Sequence, residues 1–150
     1  MITKEYNTEK TCLFCASEFH LEMILLPYIK TRIDNSKFII FTDTNLEESL
    51  KLLLERVNLE EKTKKAITKI NWNINDSEKF RILNEYIKSN ETINVIINGN
   101  QSYIKNIHSQ LDNNKIHNIQ IIDCFHVSDP HVDIEEIRNN YKNILNTQKI

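Results

Sequence analysis

Five short apolar runs rich in β-forming residues recur along the chain at nearly constant spacing. They are "TCLFCA" from Thr11, "KFIIFT" from Lys37, "AITKINW" from Ala66, "TINVII" from Thr92 and "NIQIID" from Asn118. Each is followed by a stretch with helical periodicity. Strands that alternate with helices at this period predict a parallel sheet covered on both faces. The runs are almost continuously apolar, as parallel strands buried on both sides must be. The expected fold is therefore an α/β three-layer sandwich of Rossmann-like or RecA-like kind. It has a mainly parallel sheet of about five strands, in a single domain over residues 1–150.

The helices carry readable starts. Thr44 and Glu47 have capping-box spacing before a stripe of Leu46, Leu50, Leu53, Leu54 and Val57. Ser77 is placed to cap "EKFRILNEYIKS", and Asp133 and Glu136 to cap "DIEEIRNNYKNIL". Pro27 falls inside the first helical pattern, where it removes a backbone donor.

Composition narrows the function classes. The formal net charge is -2 and the basic residues are spread out, so nucleic acid is not an expected partner. The cluster Lys62, Lys64, Lys65 and Lys69 reads as a solvated face. No stretch approaches the apolar length of a membrane span, and the polar start has no signal-like core, so a cytoplasmic location is expected. The single glycine, Gly99, leaves no room for a phosphate loop or a dinucleotide fingerprint. No cofactor is expected.

In open parallel sheets, ligands bind beyond the carboxyl ends of the strands. That rule nominates Ser17, Glu18 and His20 after the first run, Asp43 and Asn45 after the second, and Trp72 after the third. Asn98 and Asn100 follow the fourth, and Asp123, His126 and Asp129 the fifth. Helix caps and solvated turns use the same residue types. Cys12 and Cys15 have C-x-x-C spacing, but strand alternation sends them to opposite faces. They are expected to be buried thiols with no shared metal. The stretch "DCFHVSDPHVD" is rich in metal-donor side chains yet fits no closed zinc spacing.

The opening "TCLFCASEFHLEMILLPYIKTRIDNSKFIIFTDTNLEESLKLL" resembles the start of the DcmR-type sensory domain, often called MEDS. Cys12, Leu13 and Phe14 match its first strand, Leu26 to Ile29 match its Pro-aromatic-Ile step, and "KFIIFTDTN" matches its second strand. The final "IIDCFHVSDPHVDIEEIRNNYKNIL" is loosely similar to its last strand and helix. Lys10 stands where that family has a histidine, and its glycines before the second strand are absent.

The resemblance implies a RecA-type core without a phosphate loop, used to sense small molecules. The expected function is a non-enzymatic sensing or regulatory module with a small-molecule ligand, acting through a protein partner or a homo-oligomer. Two alternatives stand beside it. One is a small metal-assisted hydrolase using His20, Asp43, His126 and Asp129, and the other is an interaction scaffold.

Overall fold

The computed structural model describes residues 8–145. Its elements are β1 (Glu9–Cys15), α1 (Glu18–Lys30), β2 (Lys37–Thr42), α2 (Glu47–Arg56), α3 (Glu61–Lys69), α4 (Asp76–Lys88), β3 (Ile93–Asn98), α5 (Gln101–Asn113), β4 (Gln120–His126), α6 (Ile134–Asn139) and β5 (Asn143–Leu145). The strands form one five-stranded sheet in the order β2-β3-β4-β1-β5. All pairings are parallel. The three-layer α/β architecture is thus present.

Strand burial follows from that geometry. Every residue of β3 is buried, and five of six in β2. Leu13, Cys15, Ile40 and Ile96 lie in a core under α1, α2 and α3, with Leu21, Leu25, Leu50 and Ile67 above them. Cys12, Ile39, Val95 and Ile121 lie in a second core under α4, α5 and α6, with Leu83, Ile107 and Ile137. Cys12 and Cys15 therefore occupy opposite faces, as alternation requires.

Two predicted elements are corrected. The run from Ala66 is not the third strand. Residues Glu61–Lys69 form α3, and Ile67 is its buried residue. Trp72 follows α3 at 2 % exposure and donates its indole N–H to the Ile67 carbonyl at 2.9 Å. The β-branched residues misled because α3 reaches the core through one side chain and a trailing indole, and tertiary burial overrides propensity. The last helix also stops early, at Asn139, and Asn143–Leu145 add a strand beside β1 instead.

Some caps differ as well. The side chain that accepts from the Glu47 amide is Asn45, not Thr44, and Asn75 rather than Ser77 caps α4. Asp133 caps α6 as expected. The helix α1 continues through Pro27 to Lys30.

One charge is buried between helices. Glu22 of α1 is 1 % exposed. Its Oε2 accepts from Ser49 of α2, and its Oε1 has no hydrogen-bond partner among the described residues. Burial raises its carboxyl pKa above the ordinary value. A raised folded pKa favours the protonated form. Its stabilisation is complete below the unfolded value and fades as pH rises through the folded one.

Two outcomes are expected. Ile67→Ala costs about 2–5 kcal/mol in urea unfolding, whereas Thr68→Ala, on the exposed side of α3, costs little. Comparable losses at both neighbours would favour a strand buried on both faces. Glu22→Gln raises the urea midpoint at neutral pH, and the gain shrinks as pH falls to the ordinary carboxylate range.

Candidate functional site

The ladders bring the last residues of four adjacent strands to one edge of the sheet, with Asn98 opposite Cys124, two residues short of His126. Cys15 ends β1, His126 ends β4, Asn98 ends β3 and Thr42 ends β2. Cys15 pairs with His126 and Thr42 with Asn98 in register. Their side chains form one hydrogen-bonded row. The Cys15 sulfur lies 3.5 Å from His126 Nδ1. His126 Nε2 lies 2.7 Å from Asn98 Oδ1, which can only accept, so Nε2 carries the proton. Asn98 Nδ2 donates to Thr42 Oγ1 at 3.1 Å, and the Thr42 hydroxyl donates to the Thr44 carbonyl at 2.7 Å. With Nδ1 left to accept, the Cys15 thiol has two acceptors in reach, Nδ1 and the Phe125 carbonyl at 3.7 Å, and joins the row from β1 to β2.

The row sits where α/β sheets bind ligands, since α1 leaves β1 on one face and α6 leaves β4 on the other. It is nevertheless mostly buried, with His126 its partly exposed member. Cys15, Thr42 and Asn98 are each 1 % exposed. The Val127 amide donates to the Cys15 carbonyl at 2.9 Å across the β1–β4 boundary.

Other nominated residues serve the backbone around it. Ser17 caps α1 by accepting from the His20 amide, and the Ala16 amide donates to His20 Nδ1 at 2.9 Å. Glu18 lies exposed in the first turn of α1. Asn100 caps α5, Asn45 accepts from the first amide of α2, that of Glu47, and Asp129 accepts from the His131 amide in a turn. Asp43 accepts from the Asn100 amide at 3.3 Å. It lies against Gly99, where an added Cβ would stand 2.8 Å from Asp43 Oδ2 and 2.7 Å from the Tyr103 ring. That close approach accounts for the single glycine.

Two nominated residues lie elsewhere. Trp72 is core. Asp123 is not beyond a strand end but inside β4, fully buried on the α5–α6 face. Its carboxylate is held by His108 Nε2 at 2.9 Å from each oxygen and by the Tyr141 hydroxyl. His108 and Tyr141 line a cleft of about 570 Å³ between α5 and α6, with Phe125 and Ile137 as apolar wall and Lys105 and Glu136 among its charged groups. Sequence reasoning missed both. Their signal was present: His108 falls four residues after Ile104 and three before Leu111, on the buried stripe of α5, and Asp123 interrupts an apolar strand. A charge inside a buried strand demands partners.

Among the described residues, no three His, Cys, Asp or Glu side chains gather as a metal would need. His20, Asp43, His126 and Asp129 are not brought together in such a group. No described helix is long and apolar enough to cross a membrane. Compared with known proteins, the chain matches no family model, no curated protein and no solved structure.

Burial governs the thiols. It pushes Cys12 up to about 11 and Cys15 up to about 12, and holds Cys124 well above the ordinary thiol range. Protonated thiols are poor nucleophiles, so neither Cys12 nor Cys15 is primed for attack at neutral pH.

Raised thiol values fix the sign of an alkaline effect. Their stabilisation is intact below the unfolded value of 9.0 and is lost as pH rises through about 11 to 12. Urea midpoints should therefore fall steeply from pH 9 upward, and Cys15→Ala should flatten that fall. A midpoint independent of pH across this window would contradict the burial of the thiols.

Proposed function

We propose that the protein is a small-molecule-binding regulatory module whose ligand occupies the cleft between α5 and α6. The observation that carries this reading is the His108–Asp123–Tyr141 set. A fully buried carboxylate fixes an imidazole and a phenol that line an open cleft. Binding sites commonly have this build, an apolar wall with a few oriented polar groups. Burial and the nearby Asp123 charge hold the Tyr141 hydroxyl protonated, so it remains a donor. The imidazole has a second nitrogen that Asp123 does not engage.

Regulation would follow from the short elements that bound the cleft. α6 has six residues and β5 three. A ligand bridging α5 and α6 would tie this segment to the sheet, which is the differential contact a switch requires. Phe19 and Met23, one turn apart on α1, are 55 % and 42 % exposed and offer apolar contact to a partner or a second copy.

One observation favours a second reading. His108 and Asp123 have the geometry of a base held by its orienting carboxylate. Hydrolysis of a simple ester that disappears in His108→Ala would support acid–base catalysis over sensing.

The test of the first reading is a thermal-shift screen of small polar metabolites, followed by titration of each hit. His108→Ala and Tyr141→Phe should each weaken binding by about ten- to a hundredfold. Glu18→Ala and His126→Ala should leave it unchanged. The opposite pattern would return the site to the strand ends. A ligand indifferent to all four replacements would remove both.

A further inference from the structure

The chain crosses from α3 on one face to α4 on the other over the free edge of β2. The segment after α3 does not pair with that edge. A cavity of about 360 Å³ lies between them. Phe38 and Ile40 of β2 and Ile82 of α4 line it, together with Lys37, Lys69 and Lys79. No carboxylate is among its lining residues.

One feature of the cavity calls for an anion, and a second supplies further donors. The first is Lys79, whose side chain is taken into the interior at 1 % exposure. Its ammonium has three N–H groups, and among the described residues its hydrogen bond goes to the Asn73 carbonyl. The nearest carboxylates that act on it are Asp76 of α4 and Glu47 of α2, neither of which lines the cavity. Lys37 of β2 and Lys69 of α3 add like charge. Burial outweighs the two carboxylates and lowers the Lys79 amine to about 8.

The second feature is the strand edge. Lys37 and Asp43 donate their amides to Thr92 and Asn98 of the β3 side, at 2.8 and 3.1 Å. Alternation then turns the amides of Phe38 and Ile40, and their carbonyls beside them, away from β3, so the edge offers donors among acceptors.

We propose that this cavity binds a small carboxylate with an apolar tail. The carboxylate takes the Lys79 ammonium and the outward edge amides of β2, and the tail lies against Phe38 and Ile82. The site is on the opposite flank of the sheet from the α5–α6 cleft and is independent of it.

The probe is octanoate, titrated into the full chain and followed by amide chemical shifts, with octylammonium as the control of matched tail and opposite charge. Octanoate should give saturable shifts centred on Phe38, Ile40 and Lys79, and octylammonium none. Affinity should fall as pH rises past about 8 and the amine loses its proton. Lys79→Met should weaken octanoate by at least about tenfold. If that variant does not fold, Lys69→Met and the pH dependence of the native chain decide the matter. The proposal is overturned by equal binding of octylammonium or by affinity that ignores pH. It is equally overturned by shifts centred on His108 and Tyr141, or by no saturable shift up to about 10 mM.

Discussion

The row of hydrogen bonds from Cys15 through His126 and Asn98 to Thr42 spans the carboxyl ends of four strands. It depends on register. A slip of one residue in any ladder would send that strand's terminal side chain to the other face and break the row. Seven register pairs align β1 with β4 although more than a hundred residues separate them, and the row is where that alignment ends. Each polar side chain in it satisfies its neighbour, so Asn98 and Thr42 are buried at little cost.

A strand-end edge filled by side chains is why binding is proposed at the flanks instead. In open parallel sheets the crevice at the strand ends ordinarily receives the ligand. Here Cys15, Thr42 and Asn98 are buried at that edge and bonded in a row with His126, which is partly exposed. The cleft under α5 and α6 and the cavity at the β2 edge instead lie beside buried charged side chains, Asp123 and Lys79. The two differ in character. Asp123 is an anion already matched by His108 and Tyr141, which makes its cleft rigid and directional. Lys79 is a cation with a backbone oxygen as its partner, which makes its cavity electrostatically incomplete.

The fold class was legible because parallel strands must be apolar on both faces, and four of the five apolar runs meet that requirement. The fifth, from Ala66, satisfied the same criterion for another reason. Ile67 and Trp72 enter one core from a helix and the turn after it, and a short apolar segment looks alike in either state. Residues Asn143–Leu145 were hidden because three residues carry no period. At the site, residues at strand ends could be found from topology alone, yet several of them, such as Ser17 and Asn100, cap helices. His108 and Tyr141 could not be found from topology: His108 shows on the buried stripe of α5, but no spacing rule connects Asp123 to either.

The way the chain crosses the β2 edge also bears on how the molecule assembles. An unpaired strand edge invites another strand, and proteins that stay dispersed must block it. On one side the crossing from α3 to α4 stands over β2. On the other the outermost described strand is β5, too short at three residues to template a long ladder. Growth by strand addition is therefore obstructed at one margin and curtailed at the other. Side-chain contacts on a helical face, unlike an added strand, present no new open edge and so do not propagate as a ribbon.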